Sequence, residues 1–172
     1  MADPSALNML RIPSGILIAL DWRPFHFALQ PFHHLVRLAH IMAMAAFYGA
    51  ICLLDLRLMG WNDAIPLRAL ALRLLPLLYG LFGIAVATGA LLFFYDPVHV
   101  GSHAYFTLKL VLIVLGLANA GIFHRAGYGL ALSAQVMPRR ARLAGATSLA
   151  FWTGVVVCAC LNVEAAPKML LR

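Results

Sequence analysis

Four apolar stretches separated by shorter polar connections dominate the pattern of the chain. They run from about Leu35 to Met59, Leu67 to Tyr95, Ala104 to Phe123 and Leu143 to Val163. Each stretch provides the roughly 20 apolar residues that a helix needs to cross a bilayer. The pattern predicts an all-α integral membrane protein, and the short connections predict an antiparallel four-helix bundle.

The N-terminal part of the chain shows a weaker pattern. Arg11 and Pro13 interrupt its apolar residues, and the unbroken run that remains, from Ile16 to Leu20, is too short to cross a bilayer. Trp22 and Arg23 follow this run, and both residue types are enriched where a membrane meets water. We therefore expect a helix that lies in the interface. The expected organisation is an N-terminal interfacial segment (1–31), a four-span bundle (32–165) and a C-terminal tail (166–172).

The composition supports a membrane location and argues against nucleic-acid binding. Of the 172 residues, 63% are hydrophobic and 11% are charged, whereas soluble domains have about half and about a quarter. The formal net charge is +7, but no basic run is interleaved with aromatic residues as in a nucleic-acid groove. The three cysteines, Cys52, Cys158 and Cys160, fall within predicted spans, where small packing residues are the expected role.

The arginines near the span ends predict the orientation. The second connection has neither lysine nor arginine. Because basic residues collect on the cytoplasmic side, the first and third connections are expected in the cytoplasm. Both termini are then expected on the periplasmic side of a bacterial inner membrane. The arginines concerned are Arg57, Arg68 and Arg73 at the first connection, and Arg125, Arg139, Arg140 and Arg142 at the third.

Histidines and cations mark the periplasmic end of the predicted bundle. His33, Arg37 and His40 are spaced at i, i+4 and i+7, so they share one face of a helix. His103 begins the third span, and Lys109 lies about 9 Å deeper along it. Polar groups at membrane depth are costly and often mark a functional site, so we expect these side chains to converge.

One interpretation of this set is a site for a b-type haem. His40 and His103 are the candidate iron ligands, because haem iron takes imidazole nitrogens. Arg37 and Lys109 would pair with the anionic propionates. The alternative has comparable weight: the histidines are interfacial, the cations extend to the surface, and no cofactor is bound. A quinone headgroup pocket and a transport path are further alternatives.

Polar residues in the other half of the bundle have structural interpretations. Asp55 is expected to pair with Arg57 or Arg73, and Asn119 to cross-link helices by a hydrogen bond. His124 is expected to anchor its span at the surface opposite His40. Small residues at helical spacing predict close helix packing, namely Gly80, Gly83 and Ala87 on the second span, Gly116 and Ala120 on the third, and Ala144 and Ser148 on the fourth.

Several motifs together resemble a known family. They are His40, Asp55-Leu56-Arg57-Leu58-Met59-Gly60, Pro76, Thr88-Gly89, Phe106 with Lys109, Asn119-Ala120 with Phe123-His124, and Ser148 with Trp152. In these motifs the chain, from about Leu35 to Val157, resembles an uncharacterised bacterial family of small four-helix inner-membrane proteins. It departs from that pattern at Arg37, where an acidic residue is expected, and at Ala159-Cys160, where Gly-Arg is expected. The resemblance implies the architecture and no particular activity.

The expected function is that of a non-catalytic membrane subunit in electron transfer. It would hold one haem b near the periplasmic surface and pass electrons between a periplasmic redox partner and the quinone pool. The alternative is a cofactor-free accessory subunit of a larger membrane complex. An enzyme is not favoured, since the sequence has no recognisable nucleophile motif, phosphate loop or zinc motif. The expected partners are lipids and other membrane or periplasmic redox subunits, without nucleic acid.

Overall fold

A computed structural model describes residues 11–62, 64–134 and 136–163. The described residues are mostly helical and contain no strand. The expected C-terminal tail (166–172) and the first ten residues of the N-terminal segment lie outside the described residues. The helices are α1 (Ser14–Leu20), α2 (Arg23–Leu29), α3 (His33–Leu58), α4 (Leu67–Tyr95), α5 (Pro97–Gly101), α6 (Ala104–Ala126), α7 (Tyr128–Ser133) and α8 (Arg139–Val163).

Four of these helices, α3, α4, α6 and α8, are long and apolar enough to cross a membrane. The prediction of four long apolar helices is therefore confirmed, and α4 has the predicted bounds. Of the other three, α3 begins two residues earlier than its apolar stretch and ends one residue earlier, α6 ends three residues later, and α8 begins four residues earlier. Many large apolar side chains on them are exposed, among them Leu38, Ile41, Leu72, Val114, Ile122 and Leu143. Such an apolar exterior suits lipid contact.

The four long helices pack around a central aromatic cluster. Helix α3 packs against α4 and α8, and α8 also packs against α6, whereas α4 and α6 make few direct contacts. Phe47 of α3 and Trp152 of α8 are buried and meet edge to face, with ring centroids 4.7 Å apart. Phe82 of α4 completes the cluster. Such edge-to-face pairs contribute beyond the apolar area that they bury, so the cluster joins three of the four helices.

Close helix contacts occur at some of the predicted small residues but not at all of them. A Cβ added at Gly116 would lie 3.2 Å from the Trp152 ring, as expected for a packing glycine. The prediction for the second span is wrong: Gly80 and Gly83 are exposed, and a Cβ added to either would meet no atom within 4 Å. Among the glycines of the four long helices, the closest approach is at Gly145 of α8, where an added Cβ would lie 2.8 Å from the backbone oxygen of Asp55 on α3.

The expected cross-link between helices is also present. Nδ2 of Asn119 on α6 donates a hydrogen bond to the backbone oxygen of Ala144 on α8 at 3.0 Å, which confirms the expectation for Asn119. Tyr48 of α3 and Thr153 of α8 form a second link through their hydroxyl groups, 2.9 Å apart. Together these bonds fix how α8 lies against α3 and α6.

The N-terminal segment forms two short helices rather than one. Helix α1 ends at Leu20, and α2 begins at Arg23, directly before Pro24. Leu17 of α1 is buried at 1% exposure, and its side chain lies where a Cβ of Gly101 on α5 would stand. A larger residue at position 101 would displace the Leu17 side chain, so α1 lies directly against the connection between α4 and α6.

Candidate functional site

A polar cavity of about 480 Å³ lies where α3 and α6 begin and α4 ends. We call it the histidine cavity. Its charged and imidazole side chains are His33, Arg37, Asp96, His99, His103 and Lys109. Three of the four side chains expected to form the site, Arg37, His103 and Lys109, therefore border one cavity. The fourth, His40, is not among the residues that line it.

His40 is half-buried on α3 and is held by α4. Its Nδ1 lies 3.0 Å from Oγ1 of Thr88, and that hydroxyl donates its hydrogen to the backbone oxygen of Ile84 at 2.6 Å. When the Thr88 hydroxyl gives its one hydrogen to Ile84, Nδ1 is the donor in the bond to Thr88. Neutral His40 in this arrangement has its lone pair on Nε2.

Glycine on α4 provides the room for this imidazole. A Cβ at Gly89 would lie 3.0 Å from Cε1 of His40, so a larger residue would displace the ring. The Thr88-Gly89 pair therefore positions His40 through both the hydroxyl and the missing side chain. The sequence presented this pair only as part of a family pattern and gave it no role at the site.

Lys109 lies near His40, as the sequence predicts. It is half-buried on α6, close enough to His40 and to Cys158 for their charges to interact. Its Nζ stands 5.0 Å from the centroid of the Phe106 ring, where the electron-rich face attracts a cation. Arg37 is exposed at the opposite wall of the cavity.

An aromatic and imidazole stack forms the outer wall of the histidine cavity. The ring of Tyr95 at the end of α4 lies between His26 and His33, with centroids 4.2 and 4.3 Å away. Nδ1 of His26 also lies 2.8 Å from the backbone oxygen of Tyr95. His26 is half-buried and thus held against the bundle, a contact for which the sequence alone gives no signal.

The remaining imidazoles of the cavity lie on its rim. The rings of His99 and His103 meet edge to face with centroids 5.3 Å apart. Asp96 caps the short helix α5 by accepting a hydrogen bond from the backbone nitrogen of His99 at 3.0 Å. The lining contains the two cations Arg37 and Lys109 against the one carboxylate of Asp96, so its charged side chains have an excess of positive charge.

One buried polar atom at the histidine cavity lacks a partner. Oδ1 of Asn162 on α8 is buried without a hydrogen bond in the described structure, and Asn162 lines the cavity. Unsatisfied buried groups are rare and call for an explanation such as an absent ligand. No group of three or more His, Cys, Asp or Glu side chains in the described ranges is arranged to hold a metal ion. A haem needs only two ligands from the protein.

A second cavity, of about 400 Å³, lies at the opposite end of the bundle. We call it the Asp55 cavity. Asp55 stands about 22 Å from His40 along α3 at the helical rise. The aromatic cluster of Phe47, Phe82 and Trp152 forms one wall, and Asp55, Asn119 and Ser148 are among its polar side chains.

Asp55 does not form the ion pair that the sequence predicts. The side chain is 3% exposed, its carboxyl interacts with the Ser148 hydroxyl, and its Oδ2 is buried without a hydrogen-bond partner. No ion pair of Asp55 occurs among residues 11–62, 64–134 and 136–163. Nε of Arg57, two residues further along α3, instead donates to the backbone oxygen of Ile65 at 2.6 Å. Residues two apart on a helix point in different directions, which explains the difference.

His124 also borders the Asp55 cavity. It is exposed near the end of α6, and its ring stacks on Tyr128 with centroids 5.0 Å apart. Its position at the opposite cavity from the His40 region agrees with the expectation from the sequence.

Comparisons with protein-family models, with curated proteins and with solved structures find no match to this chain. The functional argument therefore depends on the two cavities and on the side chains that border them.

Proposed function

We propose that the chain is a multi-pass protein of a bacterial inner membrane, with α3, α4, α6 and α8 crossing it as an antiparallel bundle. The exposed apolar faces of these helices support the proposal. In the proposed orientation, which the arginine-rich connections support, the Asp55 cavity is in the cytoplasmic half and the histidine cavity is at the periplasmic surface. Helices α1 and α2 then lie at that surface, and both termini are periplasmic. The resemblance to small four-helix inner-membrane proteins is consistent with this arrangement.

Within this membrane protein, we propose a non-catalytic subunit for electron transfer that holds one haem b at the histidine cavity. The observation that carries the proposal is the anchored imidazole of His40, which does not itself line the cavity but lies near Lys109 of its lining. With Nδ1 as the donor to Thr88, neutral His40 would have its lone pair on Nε2 for a ligand. Metal-binding histidines commonly have their other nitrogen fixed in this way.

The other residues of the site fit the same cofactor. His103 supplies a second imidazole at the cavity, and Arg37 and Lys109 supply two cations for the two propionate groups. The unpartnered Oδ1 of Asn162 would accept a hydrogen bond there. A bound haem supplies a one-electron couple whose potential depends on its ligands and surroundings. The protein's own contribution is to orient the imidazoles, to neutralise the carboxylates and to exclude water on the side of the aromatic cluster.

The subunit would connect a periplasmic redox partner with the quinone pool. Exposed His34 and His99 and the surface helices α1 and α2 provide the periplasmic face. Catalysis is not part of the proposal. The protein's partners would be lipids and neighbouring redox subunits.

The test is an absorption spectrum of the protein purified from cells with full haem supply, oxidised and then reduced with dithionite. We expect a Soret band and sharp α and β bands on reduction. His40→Ala and His103→Ala should abolish or strongly weaken these bands. His40→Gln keeps a donor for Thr88 without an imidazole, and it should also lose them in a folded protein. His124→Ala, at the Asp55 cavity, is the matched control and should keep the full spectrum.

A flat visible spectrum of the unaltered protein would overturn the haem proposal. The chain would then be better described as a cofactor-free accessory subunit, and the proteins that co-purify with it would identify its complex.

A further inference from the structure

The Asp55 cavity takes no part in the proposed haem site and has its own unexplained features. Asp55 lies about 22 Å from His40 along α3. The cavity has a volume of about 400 Å³, which is within the range of volumes found for small-molecule sites. Tyr79 of α4 and Leu117 of α6 border it and are exposed on the outside of the bundle, by 70% and 46%. Since α4 and α6 make few contacts with each other, the cavity opens sideways between them.

We propose that the Asp55 cavity binds the ring of a hydroxylated aromatic amphiphile from the bilayer, namely a membrane quinol. This inference rests on the membrane placement proposed above and is independent of the haem. The sideways opening faces the lipid, so a ligand can enter from the membrane and leave an apolar tail outside.

The apolar wall of the cavity suits an aromatic ring. Phe47, Phe82 and Trp152 present their rings with centroids 4.7 to 5.9 Å apart. Aromatic rings favour offset or edge-to-face contact with one another at such distances. A flat ring in the cavity would therefore find contacts that a saturated acyl chain would not.

The Asp55 carboxyl of the cavity suits a ligand that donates a hydroxyl hydrogen. The Asp55 carboxyl is buried, borders the cavity and has an oxygen without a hydrogen-bond partner. A carboxyl oxygen accepts a hydrogen bond in either protonation state. Burial without a partner is costly, so a ligand that donates a hydroxyl hydrogen would relieve that cost. A ligand without a hydroxyl donor would leave the Asp55 oxygen without a partner.

Trp152 makes the proposal measurable, because its ring borders the cavity. The chain has three tryptophans, so Trp22→Phe and Trp61→Phe leave Trp152 as the only one. The double variant, in phosphatidylcholine nanodiscs, is titrated with the short-tailed quinol ubiquinol-1 under anaerobic conditions. The dimethyl ether of the same quinol, which has no hydroxyl donor, is the comparison ligand. We expect saturable quenching by the quinol and about tenfold weaker binding of the ether.

Two variants locate the binding. Asp55→Leu should weaken quinol binding about tenfold and remove the preference over the ether. Gly121→Phe should block binding, because Gly121 lines the cavity and an added Cβ there meets no atom within 4 Å. Gly80→Phe is the matched control: its Cβ also has open space, but Gly80 does not line the cavity, so quenching should persist.

The proposal is overturned by quenching that does not saturate, by equal binding of quinol and ether, or by unchanged quinol binding in Asp55→Leu. Failure of the haem proposal has a different signature, since a flat visible spectrum leaves the Trp152 titration unaffected. Failure of membrane placement would appear as release of the chain from membranes by alkaline carbonate.

Discussion

Nδ1 of His40 and Oγ1 of Thr88 lie 3.0 Å apart and join α3 to α4. When the Thr88 hydroxyl donates to its own helix at Ile84, it accepts this bond from Nδ1. The pair then fixes both the direction of the imidazole ring and the nitrogen that carries its hydrogen. This geometry separates His40 from the rim histidines, whose rings contact one another.

The first prediction is that Thr88→Val lowers haem affinity. Valine keeps the volume and removes the acceptor for Nδ1, so the ring loses its orientation and its defined tautomer. Loss of such a supporting bond costs about 10- to 100-fold in metal affinity. The measurement is haem per protein at limiting haem, from the reduced spectrum. Thr153→Val is the control, since Thr153 bonds to Tyr48 on α3. Equal haem content in both variants would contradict the role given to Thr88.

The second prediction is that Gly145→Ala destabilises the bundle. The new methyl group would meet the backbone of α3, 2.8 Å from the Asp55 oxygen, and neither backbone can move without separating the helices. Overpacking of this kind costs about 1–3 kcal/mol. The measurement is the apparent Tm in detergent.

Gly80→Ala provides the comparison for Gly145. A Cβ at Gly80 meets nothing within 4 Å, and alanine favours a helix over glycine by about 0.5–1 kcal/mol. The apparent Tm should therefore stay level or rise. An equal fall of the apparent Tm in both variants would show that the contact of Gly145 with α3 does not determine the loss of stability.

The third prediction concerns topology. The background is a variant in which Cys52, Cys158 and Cys160 are replaced by alanine. In it, Val98→Cys should react with a membrane-impermeant maleimide in intact spheroplasts. Trp61→Cys should react only after the membrane is opened. Both native side chains are exposed, by 39% and 58%, so access depends on the side of the membrane. The reverse pattern would invert the bundle and put the histidine cavity in the cytoplasm.

The sequence determined the number and extent of the long helices. Hydropathy is a local property, and the bilayer sets the length of apolar chain that a spanning helix needs, so α4 could be bounded without any tertiary information. The sequence also locates the polar residues of the candidate site without tertiary information. Arg37, His103 and Lys109 differ from the apolar background, and their distances from the span ends place them at one end of the bundle.

Only the tertiary structure decided which helix faces meet. In a spanning helix the lipid-facing side is as apolar as the buried side, so periodicity does not reveal the inward face. Gly80 and Gly83 therefore looked like packing residues and are exposed, whereas Gly145 gives no distinguishing local signal and makes the closest contact among the glycines of the four long helices. The partners of polar groups depend on the same choice of faces. Thr88 at His40, Tyr95 between two histidines, and Asp55 beside Ser148 are set by packing between residues 48 to 93 positions apart in the chain, which local sequence cannot encode.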